Sequence, residues 1–156
     1  NITLEFLDFY KCGEKTKYGP LRYLVFDSKV APLRNLAKLD SDEIKFVTIR
    51  KRGGNLVEKI NKIPKSQWKS IRVMNANGKG RSIKVFEEYV TIEEYGSKQI
   101  RQVCITGHGK IKPAIIITND FDISKEDLVR KYTRRWIVEK TISEQIDFFH
   151  CWLLPD

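Results

Sequence analysis

Long apolar runs are missing from this sequence: no stretch approaches the roughly 20 apolar residues that a membrane-spanning helix needs. The first residues also lack the charged and apolar regions of a signal peptide. Cysteine is scarce, and Cys12, Cys104 and Cys151 lie far apart in the chain. This spacing excludes a CxxC zinc finger and a small disulfide-stabilised fold, and it favours a reducing compartment. No glycine-rich phosphate-binding loop is present.

Acidic residues are outnumbered by basic ones. The 156 residues include 29 Lys and Arg against 20 Asp and Glu, which gives a formal net charge of +9. A sequence pI near 9.5 favours a polyanionic partner such as nucleic acid. On charge alone, a solvated basic surface without such a partner is an equal alternative. Hydrophobic residues make up 41% of the chain, which is enough for the core of one packed domain.

Apolar runs and turn signals in the first third of the chain predict a strand–helix–strand unit. Residues 3–11 allow a short amphipathic helix. The continuous run Tyr23-Leu24-Val25-Phe26, which ends at Asp27, predicts a buried, central strand. Residues 28–39 predict a helix with Pro32 in its first turn, and residues 44–50 predict the next strand. A unit of this length normally forms a parallel strand pair.

The rest of the chain predicts a β-rich segment followed by a long helix. Beyond a flexible joint at residues 51–54, strands are expected at 70–74, 82–95, 99–106 and 113–119. Ser124, followed by an acid three residues later, predicts the start of a helix that reaches about residue 152. We therefore divide the chain into residues 1–52, a β-rich insertion with its return strand at 53–118, and a C-terminal helix at 119–156. The expected fold class is α/β, with a mixed sheet flanked by helices.

Two carboxylates stand where functional groups are common. Asp27 closes a strand at the carboxyl end of the sheet, where α/β proteins usually bind ligands. Glu139 interrupts an otherwise apolar or aromatic helical stripe, and a buried carboxylate needs a partner. Together they could bind Mg²⁺ or Mn²⁺ through oxygen atoms. The alternatives are local: Asp27 as the cap of the following helix, and Glu139 paired with Arg135 one turn earlier.

The segment Tyr132-Thr133-Arg134-Arg135-Trp136-Ile137-Val138-Glu139 resembles the Y-x2-R-x3-E motif of insertion-sequence DDE transposases. The run that ends at Asp27, together with the strand at 44–50, is similar to the stretch around the second catalytic Asp of that family. The β-rich segment matches the β insertion that the family has before its Glu. The motif departs from the family at one place, because Ile146 stands where a Lys usually follows the Glu by seven residues.

The resemblance implies a partial ribonuclease H-like fold, with a β-rich insertion before the long C-terminal helix. Asp27 and Glu139 would be two of three catalytic acids, and the complete site would hold two Mg²⁺ or Mn²⁺ ions. These ions would activate water, or a DNA 3′-hydroxyl, for attack on a phosphodiester. Tyr132, Arg134 and Arg135 would contact the DNA backbone, and the guanidinium geometry suits a bidentate contact with phosphate.

The resemblance also implies partners and a location. The partner would be double-stranded DNA, at transposon ends and at the target, with a homodimer in a synaptic complex as an option and no membrane. The location would be the cytoplasm of a prokaryote, at the nucleoid. The family's first catalytic Asp lies well upstream of the second, whereas Asp8 here falls in the helix predicted at 3–11. We therefore expect this chain to be a C-terminal segment or a decayed copy, inactive in cleavage by itself.

Basic and aromatic residues of the β-rich segment add candidate DNA contacts. Trp68 lies among lysines and arginines and could stack on an unpaired base, although packing within the segment is the more common role. Lys79, Arg81 and Lys84 surround a turn and could follow a phosphate backbone, or could simply be solvated. Three functions therefore compete: a DNA transposase, a catalytically inactive DNA-binding remnant of one, and a ribonuclease H-like nuclease without strand transfer.

Overall fold

A computed structural model describes residues 22–27, 32–74, 78–110 and 112–135, and these residues form a mixed α/β structure. The described strands are β1 (Tyr23–Phe26), β2 (Lys45–Ile49), β3 (Lys69–Met74), β4 (Gly80–Ile92), β5 (Lys98–Thr106) and β6 (Ala114–Thr118). The described helices are α1 (Leu33–Ser41), α2 (Gly54–Asn61) and α3, which is described over residues 125–135. None of these helices is long and apolar enough to cross a membrane.

The strands form one mixed sheet in the order β1-β2-β6-β5-β4-β3. β1 and β2 are parallel, which confirms the prediction of a parallel pair. The other neighbouring strands are antiparallel. The strands expected in the β-rich segment are present, and the last of them, β6, lies between β2 and β5. The segment therefore continues the sheet that β1 and β2 begin.

β1 lies at the edge of this sheet, so the prediction of a central strand is wrong for the described part of the chain. Each of its four residues is half-buried, and among the described strands only β2 pairs with it. The apolar run led to a wrong prediction because it indicates only that the side chains of the strand are shielded from solvent. It does not report how many neighbouring strands bond to the backbone.

Helices cover both faces of the sheet, α1 and α2 on one face and α3 on the other. The helix residues buried against the sheet are Leu36 and Leu39 of α1, Ile60 of α2, and Leu128 and Val129 of α3. β6 runs through the middle of this arrangement. Ile115 and Ile117 face the α1 and α2 layer, whereas Ile116 faces α3, and all three are at most 1% exposed. Successive strand residues point to opposite faces, so a strand covered on both sides is apolar throughout.

β4 extends far beyond β1 on the other side of the sheet. Phe26 of β1 lies at the same height in the sheet as Glu88 of β4. The row of paired residues between them is Thr48, Ile117 and Gln102. β4 begins eight residues before Glu88, so it protrudes by about 26 Å beyond that level at roughly 3.3 Å per residue. Among the described strands, β3 alone pairs with residues 80–83. We call residues 69–74 and 80–85 the ribbon; it projects at the end of the sheet where β1 and β2 finish.

The helices differ from the sequence prediction in two places. α1 begins at Leu33, with Pro32 as its N-cap residue, instead of spanning residues 28–39. α2 was not predicted, because two glycines at residues 53–54 indicated a flexible joint, whereas the helix begins on the second of them. The helix predicted at residues 3–11, and the continuation of the C-terminal helix beyond residue 135, lie outside the described residues.

The start of α3 is fixed by Ser124, as the sequence predicts. The Ser124 hydroxyl oxygen accepts a hydrogen bond from the backbone N–H of Asp127 at 3.0 Å. The Ser124 carbonyl accepts the first helical bond from the N–H of Leu128 at 2.9 Å. This is the N-cap arrangement, which satisfies one of the backbone donors left open at a helix start.

Replacement of Ser124 by alanine removes this acceptor. We expect Ser124→Ala to lower the free energy of unfolding by about 0.5–2 kcal/mol, and Ser124→Asp, which keeps a side-chain acceptor, to leave it nearly unchanged. Urea unfolding followed by circular dichroism measures both variants. Equal destabilisation by Ala and Asp would show that the hydroxyl does not act as the cap.

Candidate active site

Asp27 follows β1 directly and lies at the carboxyl end of the β1–β2 pair. Its side chain is 41% exposed, so it is accessible to a ligand without being fully solvated. The local alternative, in which Asp27 caps the next helix, does not fit. α1 begins six residues later, has Pro32 at its N-cap and receives no side-chain cap hydrogen bond.

Arg135 of α3 meets Asp27 at this position. Its Nη1 lies 4.0 Å from the Oδ2 of Asp27, and the Arg135 side chain is only 13% exposed. The guanidinium is also held by Tyr132: Nη2 donates to the phenol oxygen at 3.2 Å, and the guanidinium carbon lies 5.1 Å from the centre of the ring. The described residues of the Tyr-Arg-Glu motif and the strand-end carboxylate therefore lie together, although they are far apart in the sequence.

The path of α3 explains this contact. β6 is antiparallel to β2, so the chain leaves β6 near the beginning of β1, where α3 starts. α3 then runs in the direction of β1: the Lys131 ammonium lies 4.6 Å from the centre of the Tyr23 ring, at the first residue of β1. Arg135, one turn later, reaches Asp27 beyond the last residue of β1.

Only one of the two predicted metal ligands falls within the described residues. Asp27 supplies hard carboxylate oxygens on a partly exposed side chain, which suits Mg²⁺ or Mn²⁺. Glu139 lies outside the described residues, as does its predicted pairing with Arg135. Within the described ranges, no three His, Cys, Asp or Glu side chains form a group that could hold a metal ion. The Asp27–Glu139 metal site stays a prediction, for which the donor chemistry fits.

The other candidate DNA contacts are spread over two places. Arg134 is exposed on α3. Trp68 is half-buried, with its ring centre 5.9 Å from that of Phe86, and it packs in the cluster around Ile60. Its packing role is thus visible, and base stacking stays a prediction. Trp68 also lines a cavity of about 240 Å³ together with Lys84.

Lys79, just before β4, and Arg81, on the β4 part of the ribbon, are both exposed. They lie at the same end of the sheet as Asp27, because β4 runs antiparallel to β5 and protrudes beyond the level of β1. The sequence prediction placed these cations beside a turn. The structure adds that Arg81 and Lys84 lie on β4, in the projecting ribbon.

A buried ionic network at the opposite end of β1 was not predicted from the sequence. Arg101 of β5 is 4% exposed; its Nε donates to Glu87 at 2.6 Å, and its Nη1 donates to the carbonyl of Asp120 at 3.2 Å. The Asp120 side chain accepts a hydrogen bond from Lys45 at 2.9 Å. The signal in the sequence was the pair Arg101-Gln102 inside an apolar strand. The network ties the loop after β6 to the sheet and so fixes where α3 begins.

The charges of this network shift its carboxyl pKa values. Burial alone would raise the pKa of Asp120, but the hydrogen bonds from Lys45 and from the Asp122 backbone lower it below its usual value. Burial likewise opposes ionisation of Glu87, and its contacts with Lys125 and Arg101 nevertheless lower its pKa. Both groups bind protons more weakly in the folded chain than in the unfolded one.

Acid should therefore destabilise the chain through this network. A depressed folded pKa contributes stability above the unfolded pKa of about 4, and this contribution is lost as pH falls through the folded pKa. We expect Asp120→Asn to be less stable at pH 7 and to lose less stability on acidification than the unaltered chain. Denaturant unfolding at a series of pH values tests this, with Glu58→Gln, which alters an exposed acid of α2, as the control. Parallel pH profiles for Asp120→Asn and the unaltered chain would contradict it.

The structure thus brings together Asp27, Arg135 and Tyr132, leaves Trp68 and Lys84 at a separate cavity, and places Lys79 and Arg81 at the start of β4. Comparison with known proteins adds no assignment to this arrangement. The chain matches no protein-family model and no curated protein sequence.

Proposed function

We propose that this chain is part of the catalytic domain of a DDE-type DNA transposase, with a ribonuclease H-like fold. One observation carries the proposal: Arg135 of the Tyr-Arg-Glu motif contacts Asp27, the carboxylate at the end of β1. The two stretches that resemble the family therefore meet, as a shared active site requires. A parallel β1–β2 pair with α3 packed across one face is compatible with such a fold.

Glu139 would complete the described half of the site. In an α-helix, the residue four positions after Arg135 lies on the same face, about 6 Å further along the axis. The described part of α3 runs towards the carboxyl end of β1, so a helix continuing beyond residue 135 would bring Glu139 to that end. The two carboxylates would then face one another across a space open to solvent on the Asp27 side.

The open edge of β1 is also compatible with the proposal. Within the described residues only β2 pairs with β1, so its other edge offers backbone donors and acceptors to a further strand. The first catalytic Asp of the family would come from a strand upstream of this chain. A strand added beside β1 would place its side chains next to Asp27.

The proposed chemistry is metal-dependent attack on a phosphodiester. Two Mg²⁺ or Mn²⁺ ions would stabilise the attacking and leaving oxygens when bound. Asp27 and Glu139 would hold them through carboxylate oxygens, the ligands that these ions prefer. Arg135 would orient a DNA phosphate through two parallel N–H donors. Tyr132 positions the Arg135 guanidinium, since it contacts it both through its phenol oxygen and with its ring.

Charge-neutralising changes at the two acids separate catalysis from packing. In the full protein that contains this chain, we expect Glu139→Gln and Asp27→Asn to reduce cleavage of a labelled transposon-end duplex by several orders of magnitude. Both changes keep side-chain volume, so thermal melting should remain close to that of the unaltered protein. Glu126→Gln and Asp122→Asn, which alter exposed acids of α3 and of the preceding loop, serve as controls.

Full cleavage by a folded Glu139→Gln protein would end the case for Glu139 as a catalytic acid. If Glu139 only pairs with Arg135, the change should instead cost stability, and activity should fall no further than folding does. That cost would be about 1–3 kcal/mol for a buried pair.

The contact between Arg135 and Asp27 gives a second test. The pair is 4.0 Å apart and Asp27 is 41% exposed, so a double-mutant cycle with Asp27→Asn and Arg135→Gln should give a stability coupling below about 1 kcal/mol. Cleavage by Arg135→Lys should nevertheless fall at least tenfold, because lysine keeps the charge but cannot form the bidentate contact. Unchanged cleavage by Arg135→Lys would remove the phosphate role.

A second candidate is a DNA-binding remnant without catalysis. The position of Arg135 favours this candidate, because its positive charge lies beside Asp27 and opposes a metal ion there. Asp27 is the one predicted metal ligand within the described residues. Both candidates predict duplex binding that weakens steeply with salt, because basic residues displace condensed counterions. Only the transposase predicts metal-dependent cleavage that needs Asp27 and Glu139. A prokaryotic nucleoid location and a homodimeric synaptic complex belong to the transposase proposal alone.

A further inference from the structure

Basic residues without acidic neighbours in sequence gather at the carboxyl end of β1 and β2. Three segments meet there: residues 50–54 after β2, residues 78–84 at the start of β4, and residues 107–110 and 112 between β5 and β6. None of these segments contains Asp or Glu. Their basic residues are Arg50, Lys51, Arg52, Lys79, Arg81, Lys84, His108, Lys110 and Lys112.

Four of these residues form a compact group, which we call the cationic cluster: the cations Arg52, Arg81 and Lys110, with the imidazole of His108 between them. The Arg81 guanidinium packs over Gly109; its Nη2 lies 3.0 Å from the position that a Cβ on Gly109 would occupy. The Arg52 Nη1 lies 3.5 Å from the carbonyl of Pro113, at the other end of the same loop. Burial and the charges of Lys110, Arg81 and Arg52 lower the pKa of His108, so the positive field reaches this side chain.

The loop that carries His108 can approach Arg81 because its glycines have unusual backbone angles. Gly107 and Gly109 have φ values of 75° and 89°. Residues with a Cβ rarely adopt these angles, and the missing Cβ of Gly109 leaves the space that the Arg81 guanidinium fills. The backbone itself therefore holds the cluster together against the repulsion of its charges.

The opposite end of the sheet has the opposite charge. Its turns and loops carry Asp40, Asp42, Glu43, Glu93, Glu94, Asp120 and Asp122. Two lysines there are paired with acids: Lys98 with Asp40 at 2.9 Å, and Lys45 with Asp120. The described part of the chain is therefore polarised along its strands, and the end that carries Asp27 is the more positive one, which favours a polyanion there.

We propose that the cationic cluster is a binding site for the backbone of duplex DNA, at a fixed distance from the site at Asp27. The inference rests on the proposed function and adds residues to it, because Arg52, His108 and Lys110 are not part of the family's motif. The DNA passes from Asp27 along the ends of the strands to the ribbon. Arg135 and the cluster contact phosphates at the two ends of this path.

The sheet gives the length of the path. Asp27 and Arg81 are separated by four strand spacings of about 4.8 Å across the sheet, and by six residues of roughly 3.3 Å along β4 from the level of Glu87. The two displacements combine to about 28 Å, which corresponds to about eight base pairs at 3.4 Å each. At this distance from Asp27, the cluster does not contact the cleaved end of the DNA. Its phosphate contacts hold the duplex in position and do not depend on base sequence.

Side-chain chemistry favours phosphate contacts over contacts with bases. Stacking on bases needs exposed aromatic rings, and the cluster has none. The exposed aromatic side chains of the described part of the chain are Tyr89 and Phe121, which stack on each other with ring centres 5.8 Å apart. They lie away from the cluster, with Phe121 in the loop after β6, between two acids at the opposite end.

The test compares two triple variants of the whole chain with equal loss of charge. Arg52→Gln, Arg81→Gln and Lys110→Gln remove three charges of the cluster. Arg34→Gln, Lys59→Gln and Lys62→Gln remove three charges from exposed positions on and just after α1 and α2. Binding to a duplex of about 20 base pairs is measured without divalent metal, between roughly 50 and 200 mM salt. Thermal melting of each variant checks that folding is retained.

The cluster variant should bind more weakly at low salt, and the slope of log K against log salt should become shallower by about 2.7, or 0.9 for each lost phosphate contact. The control variant should keep the slope of the unaltered chain. On a series of shorter duplexes, the unaltered chain should lose affinity below about eight base pairs, and the cluster variant should not.

Equal losses in the two triple variants would overturn the assignment of the site and leave the proposed function intact. A cluster-dependent slope in a protein whose Glu139→Gln form cleaves normally would support the site and contradict the catalytic proposal. A chain that does not bind duplex DNA in low salt would overturn both.

Discussion

The position of β6 between β2 and β5 is the constraint on which the rest of the structure depends. β6 joins the parallel pair to the antiparallel strands, and its three central isoleucines are covered from both faces. At about 25 cal/mol per Å² of buried apolar surface, such a strand contributes more than any local contact described. Its direction also decides where α3 begins. Had β6 been parallel to β2, α3 would start at the opposite end of β1 and Arg135 could not reach Asp27.

Much of the secondary structure was predictable, because it depends on local patterns. The strands at residues 23–26, 45–49 and 114–118 are apolar runs between turn residues, and Ser124 has the spacing of a cap. The neighbours of each strand were not predictable, since pairing depends on residues distant in the sequence. α2 was missed because glycine is a poor helix former, although packing of Ile60 against the sheet outweighs that preference.

The candidate site was likewise predictable where the signal is local in sequence, and not where it depends on contacts between distant residues. Asp27 was found because a polar residue directly followed an apolar run, and Arg135 was found through a motif. The sequence offered Glu139, one turn away, as an alternative partner for Arg135; Glu139 lies outside the described residues, and the described contact of Arg135 is with Asp27. For the network of Arg101, Glu87 and Asp120, the sequence showed a polar pair inside an apolar strand but not the partners of Arg101. Buried charges of this kind are recognisable only once three separate segments are placed in space.

The continuity of β4 has a consequence for association with any partner of the ribbon. One unbroken strand of 13 residues pairs with β5 over most of its length and with β3 at its start. The described strands of the ribbon are thus extensions of the central sheet, held by the same ladder. Ordering a flexible backbone costs about 1–2 kcal/mol per residue. A partner that docks on these strands avoids that entropic cost, because folding of the sheet has already fixed their direction before the partner arrives.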